Sequence, residues 1–251
     1  MNASLSEITA GIVVIGNEIL SGRTQDTNVV YIAQHLTGLG IDLQEVRIVP
    51  DTESAIIKAV NELRPLYTYI FTTGGIGSTH DDITVVSIAK AFECPLVENP
   101  EAMKILQDNY GETQYDSVRR RMALMPDGVR LINNPVYKCP SFQIENVFVL
   151  AGLPLIMHDM FQSILPRLKR GRPIFSCSVT SSLLEHVITD ALSEIQDAHP
   201  QLSIGSYPFH EANRHGTSFV VRGTNRDDLT KAIDDLAAMV RSFGAEPIVD
   251  C

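Results

Sequence analysis

Tyr67-Thr68-Tyr69-Ile70-Phe71-Thr72-Thr73-Gly74-Gly75-Ile76-Gly77-Ser78-Thr79-His80-Asp81-Asp82-Ile83-Thr84 is the stretch on which the fold turns. Its first five residues are β-branched or aromatic and read as a buried strand. Beyond the glycines, Val85, Ile88, Ala89 and Phe92 fall at helical spacing, so the glycines join a strand's carboxyl end to a helix's amino end. In an open α/β sheet such a junction binds ligands, because the amides freed at the helix start and the positive end of its dipole point into the crevice. Glycine also lets the backbone approach a phosphate with no Cβ in the way. Gly74, Gly75, Gly77, Ser78 and Thr79 are therefore candidate phosphate contacts. Asp81 or Asp82 is expected either to cap the helix or, as an adjacent pair beside an anion, to require a cation or proton, which favours a metal-dependent or acid/base site. Two named phosphate motifs are absent: no Gly-Lys-Ser/Thr follows the glycines, and His80 stands where a dinucleotide fingerprint needs Gly.

Upstream, Gly11 to Ile15 is a short apolar run that reads as a central parallel strand. The polar loop from Gly16 to Asn28 offers Glu18, Asp26 and Asn28 as candidate ligand or metal contacts, with Asp26 or Thr27 alternatively an N-cap. Val29, Ile32, Ala33 and Leu36 define a helix that stops at Gly38, and Ile41 to Val49 alternates as a strand does. Asp51 follows it at a second strand-to-helix junction, placed to reach the same crevice or to cap the helix of Ile56, Ile57, Val60 and Leu63.

Downstream, Pro95 to Pro100 reads as a connector, with helical stretches at Glu101 to Asn109 and Asp116 to Leu124. Arg119, Arg120 and Arg121 read first as a solvated helix face, with phosphate contact the alternative. Strands are expected at Val129 to Ile132 and Val147 to Leu150, flanking a loop from Asn133 to Ser141. Gly152 and Pro154 form a third glycine corner, with Pro154 in the first helical turn. The alternation predicts a three-layer α/β domain with a mostly parallel sheet over residues 1–168. After the polar Lys169 to Pro173 the pattern changes to two helices and three short strands, a small α+β unit over 174–251.

Thirty acidic against twenty basic residues give a net charge of -10, which argues against nonspecific nucleic-acid binding. A phosphorylated small molecule needs only local positive potential or a metal. Cys94, Cys139, Cys177 and Cys251 are widely spread without zinc-site spacing, and reduced cytosolic thiols are the simplest reading. No cationic start with an apolar run follows Met1 and no apolar run reaches membrane length, so a cytoplasmic protein is expected.

Three motif groups together carry a resemblance: Gly16-Asn17-Glu18-Ile19-Leu20-Ser21-Gly22 with Asp26-Thr27-Asn28, the Thr73 to Thr84 loop, and Asn134-Pro135 through Ala151-Gly152-Leu153-Pro154. On these the chain resembles the molybdopterin-binding (MoaB/Mog-like) fold family, most of all the amino-terminal part of the competence/damage-inducible protein A family and the related domain fused to FAD synthases. The run Ile204 to Pro208 is similar to that family's small carboxyl-terminal subdomain, KH-like or ferredoxin-like. The resemblance implies metal-dependent hydrolysis of a nucleotide pyrophosphate such as ADP-ribose or FAD, or alternatively noncatalytic binding of molybdopterin or a nucleotide. It implies Asp82 and Asp51 as catalytic, with Asp82, Asp81 and Glu18 around a divalent ion of the Mg, Mn or Co type. Gly74, Gly75, Gly77, Ser78, Thr79, Asn28, Gly152 and Pro154 are the expected ligand-binding positions. No nucleic-acid or membrane partner is expected, and a homo-oligomer stays open. The chain departs from the family pattern at Asn17, where Asp is usual, at Ser78, where Pro is usual, and at Cys139 and Ser141.

Overall fold

The computed structural model describes residues 8–111, 117–132, 134–211 and 214–251. Two compact units divide the chain, Met1–Gly171 and Arg172–Cys251.

In the first unit the elements run β1 (Thr9–Ile15), α1 (Asn17–Leu20), α2 (Asn28–Gly38), β2 (Asp42–Val49), α3 (Glu53–Leu63), β3 (Tyr69–Thr73), α4 (Thr84–Ala91), β4 (Leu96–Glu98), α5 (Pro100–Tyr110), α6 (Ser117–Arg120), β5 (Leu124–Pro126), β6 (Arg130–Ile132), β7 (Ser141–Ile144), β8 (Val147–Leu150) and α7 (Pro154–Ile164). The main sheet has the order β2-β1-β3-β8-β7-β6. Its first four strands are parallel, and β7 and β6 close it antiparallel. Consecutive residues of β1, β3 and β8 are buried, as strands covered on both faces must be. The helices α2 and α7 pack together, as do α3 and α4, and one apolar core spans the layers.

The chain leaves β1 for β2 on one side and then returns to β3 on the other. The strand order thus reverses beside β1, and a crevice opens at the carboxyl ends of β1 and β3. All four parallel strands end at that same edge.

Three segments differ from the sequence reading. Pro95 to Pro100 is more than a connector, because Leu96–Glu98 pairs antiparallel with Leu124–Pro126 as a small separate sheet. Ser141–Ile144, of which the sequence places only Ser141, as the end of a loop, is a strand of the main sheet, its turn back into β8 made by Glu145 with φ 47. The helix expected from Asp116 begins outside the described residues, as does Asn133 of the following loop; Ser117–Arg120 is the helical part that is described.

The second unit contains β9 (Phe175–Ser181), α8 (Glu185–Ala198), β10 (Ser203–Glu211), β11 (Arg214–Gly223), α9 (Arg226–Ser242) and β12 (Ile248–Asp250). Its sheet, ordered β10-β11-β9-β12, is antiparallel throughout, and a separate core of Val179, Ile188, Phe219, Val221, Leu236 and Val240 lies under α8 and α9. The strand β12 was not apparent in the sequence. Cys177 in β9 is disulfide-bonded to Cys251 just beyond β12, so the expectation of four free thiols holds only for Cys94 and Cys139. Among the described residues no helix is long and apolar enough to cross a membrane.

Candidate functional site

A cavity of about 510 Å³ lies at the carboxyl edge of the parallel strands. Each strand-to-helix corner contributes a wall: Glu18 after β1, Asp51 after β2, Gly74 to Asp82 after β3, and Ala151 to Pro154 after β8. The glycine loop is held in shape from both ends. Gly74 donates its N–H to Leu150 O at 3.1 Å, while Thr84 donates from its amide to Gly75 O and from its hydroxyl to Gly74 O, at 3.0 and 2.9 Å. Gly74 sits at φ 104, and a Cβ there would lie 2.1 Å from Ile15 O, so no other residue fits where β1 and β3 come together. Gly152 approaches the same point, its Cβ position 3.1 Å from the Gly74 Cα.

Between these anchors the amides of Gly75, Ile76, Gly77 and Ser78 donate to no protein acceptor among the described residues. Gly75, Ile76 and Gly77 line this cavity and Ser78 its neighbour, and a run of free amides at a strand-to-helix corner suits an anion. The two aspartates act inside the loop and not on the helix. Asp82 accepts from the Thr79 amide at 2.8 Å, and the Thr79 hydroxyl, with one proton to give, lies between the Asp82 carboxylate and that of Asp81, 2.6 Å from the latter. The residue at the N-cap of α4 is Ile83, with no side-chain capping bond, which removes the capping role expected for Asp81 or Asp82. The Thr79 hydroxyl and a backbone amide hold the Asp81 carboxyl below its usual range. Likewise Asp51 does not cap α3, whose N-cap is Thr52. It accepts from the Asn17 amide at 2.7 Å and so ties the β2 corner to the β1 corner.

Most of the residues expected from the sequence come together here: Glu18, Asp51, Gly74, Gly75, Gly77, Thr79, Asp81, Asp82, Gly152 and Pro154 all line the cavity. Ser78 and Asn28 do not. Ser78 faces a neighbouring cavity, and Asn28 is buried, its side-chain amide donating to Gly152 O at 2.8 Å. Asn28 therefore supports the β8 corner from behind. Asp26 accepts from the Val29 amide at 2.8 Å, a helix-start contact. Of the arginine cluster, Arg119 lies over the Tyr110 ring, Arg120 grips Glu98 through two bonds of 2.7 Å, and Arg121 donates to Ser78 O at 3.0 Å.

The comparisons with known proteins agree with this fold. The family model described as "Probable molybdopterin binding domain" matches residues 11–170. The chain belongs to the molybdopterin-binding domain family. A second model, "FAD synthase, middle domain", matches residues 173–246. A protein of Archaeoglobus fulgidus is 34% identical over 197 residues, which cover 78% of this chain and 84% of that protein. A Halothermothrix orenii protein that carries the name competence-damage inducible protein is 32% identical over 78% of this chain, which spans 50% of its length. Among solved structures, the CinA protein of Thermoplasma acidophilum superposes with a TM-score of 0.61 at 29% identity, covering 64% of this chain and 98% of that one.

Within this molybdopterin-binding domain, sequence reasoning missed Thr24, Met122 and Ile156 as wall residues, while Cys139, marked in the sequence only as a departure from the family pattern, also lines the wall. Cys139 is the most perturbed of them: burial, with a smaller contribution from the Asp82 charge, pushes its thiol up to about 11. Its motif loop is marked in the sequence, but its place in the wall is set by the approach of the β6 to β7 loop to the glycine corner.

Among the described residues the wall carries four carboxylates, Glu18, Asp51, Asp81 and Asp82, and no Lys, Arg or His. Among the described residues no three His, Cys, Asp or Glu side chains gather closely enough to hold a metal ion alone. The expected metal residues thus share a wall without forming a cage. That donor set suits a hard cation of the Mg type, which is commonly held by one or two carboxylates together with substrate phosphates.

Proposed function

We propose that the cavity binds a phosphorylated nucleotide or pterin and hydrolyses a nucleotide pyrophosphate with a divalent ion of the Mg, Mn or Co type. The observation that supports this reading is that loop amides with no protein acceptor among the described residues, those of Gly75, Ile76 and Gly77, share one cavity wall with four carboxylates. Amides alone would suit an anion, but an anion beside four carboxylates is strongly disfavoured unless positive charge enters with it. When bound, the ion supplies charge neutralisation and a more acidic water.

The chain's own residues do the remaining work. The amides of Gly75, Ile76 and Gly77 would orient one phosphate, and Thr79 fixes the Asp82 carboxylate, which would hold the ion together with that phosphate. Asp51 has one oxygen engaged by the Asn17 amide, and its other oxygen is the candidate to take the proton from water as the new O–P bond forms and the bridging P–O bond breaks. The carboxylates of Glu18 and Asp81 complete the negative wall.

A noncatalytic binder is the second reading, favoured by one specific contact: Asp82 already holds the loop through Thr79 and would have a purpose without any reaction. Turnover of ADP-ribose and FAD, measured with and without Mg²⁺ or Mn²⁺ on the native protein, Asp82→Asn and Asp81→Asn, decides between them. The hydrolase reading expects cation-dependent cleavage that drops about 100-fold in Asp82→Asn, the equivalent of about 2.7 kcal/mol, with a milder loss in Asp81→Asn. Ligand binding without turnover under any cation selects the binder.

A further inference from the structure

A second cavity, of about 230 Å³, adjoins the first along the glycine loop and shares Ile76, Gly77, Thr79, Asp82 and Met122 with it. The two differ in chemistry. The first has four carboxylates and no cation; the second has Asp82 as its single carboxylate and both Arg121 and His80. Its remaining wall is apolar, made by Ile83, Val85 and Val86 around the start of α4 and by Leu96 and Leu124 from the small β4–β5 sheet. We propose that this second cavity holds the planar heterocyclic ring of the ligand whose phosphate lies in the first.

Three features support that occupant. Continuity comes first: five shared residues make one ligand spanning both cavities the economical arrangement. Second, the apolar walls penalise a charged group but favour a ring, whose faces lose water at little cost. Third, Arg121 is pinned by its bond to Ser78 O at 3.0 Å, and a guanidinium so fixed offers a flat face on which a nucleobase, pterin or flavin ring stacks. The size fits one ring system and not a whole dinucleotide, since pockets that enclose drug-sized ligands run from about 300 Å³ upward. The substrate class this selects is a ring-bearing phosphate ester, with a bare sugar phosphate or inorganic pyrophosphate left without a partner in the second cavity. The inference rests on the reading of the first cavity as the phosphate site, and its test separates the two.

Val86 is the position for that test. It is partly exposed on α4, contributes to the second cavity and not to the first, and Val86→Trp would fill the ring space. Calorimetric titration in Mg²⁺ would compare ADP with inorganic pyrophosphate on the native chain and on Val86→Trp. We expect the native chain to bind ADP at least about tenfold more tightly than pyrophosphate, and Val86→Trp to erase that advantage while leaving pyrophosphate affinity unchanged within about twofold. Val86→Ser, which cannot overpack α4, should reduce the ADP advantage severalfold and covers the case of a misfolded tryptophan variant. Equal native affinity for the two probes would overturn the ring subsite and leave the phosphate cradle standing. A Val86→Trp variant that still prefers ADP would also overturn it; where Val86→Trp loses both probes, an undiminished ADP advantage in Val86→Ser overturns it instead. Failure of the native chain to bind either probe would overturn the phosphate site, and the ring subsite with it.

Discussion

The two units of this chain use sheets of opposite design. In the first, β2, β1, β3 and β8 run parallel, so their carboxyl ends lie along one edge and four corners contribute to a single cavity. In the second, every neighbouring pair is antiparallel, so the connections are shared between two edges. The consequence is a division of labour. Where loops converge, backbone amides and carboxylates from distant parts of the sequence meet; where they alternate, cross-strand pairing and one disulfide hold the terminus in place.

That contrast is broken most forcefully at Gly74. Gly74→Ala places a methyl group 2.1 Å from the backbone oxygen of Ile15 at φ 104, a clash that no side-chain rotation relieves. The expected cost is about 3 kcal/mol or more, on the order of 10 °C in melting temperature for a unit of this size. Differential scanning calorimetry should show this loss in the first unit, with the transition of the second unit in place. A native-like melt of the first unit would mean that the β1–β3 junction is not the tight point of the site.

The corresponding lever in the second unit is the Cys177–Cys251 bond, which closes a sequence separation of 74 residues. β12 pairs with β9 at only three positions, so without the bond the last strand has little to hold it. Cys251→Ser is expected to destabilise the second unit by about 2–4 kcal/mol and to speed hydrogen exchange at Ile248 to Asp250. The first unit's melt and its phosphate binding should stay unchanged. Loss of phosphate binding on removal of this bond would end the idea that the units carry separate roles.

How much of this was legible in the sequence follows from the same contrast. The parallel half could be read because its signals are local: a β-branched run such as Gly11 to Ile15, a glycine corner, then an amphipathic helix, each within about twenty residues. The corner residues were readable for the same reason, and the topology brings most of them to one cavity wall. What stayed hidden depends on distant partners. Thr84 gives no sign in sequence of clamping Gly74 and Gly75. The strands β4, β7 and β12 are short, and Leu96–Glu98 becomes a strand only because Leu124–Pro126 lies beside it. Asn28 looked like a ligand contact because its polar motif sits in a loop, yet it is buried against Gly152. The pairing of Cys177 with Cys251 is likewise a property of the β9–β12 register.

The smallest expected effect is also the most local, and it measures the charge at the corner directly. Cys139 lines the first cavity with its thiol pushed up to about 11, chiefly by burial and secondarily by the Asp82 carboxylate. Against a usual thiol value near 9, the folded chain keeps this proton when the unfolded chain has lost it. The stabilisation is therefore fully present below about pH 9 and is lost as pH rises through 9 toward 11. At pH 8.5 the thiolate fraction is small, so alkylation of Cys139 by iodoacetamide, followed by peptide mass spectrometry, should be slow beside a model thiol. Asp82→Asn removes the secondary cause and leaves the burial, so the alkylation rate at Cys139 should rise, but by less than about tenfold, because tenfold would require a full pKa unit. Cys94, remote from this cavity wall, serves as the internal control and should keep its rate. An unchanged Cys139 rate in Asp82→Asn would mean that the Asp82 charge does not reach across the cavity, and the electrostatic case for a cation entering with the phosphate would lose its nearest support.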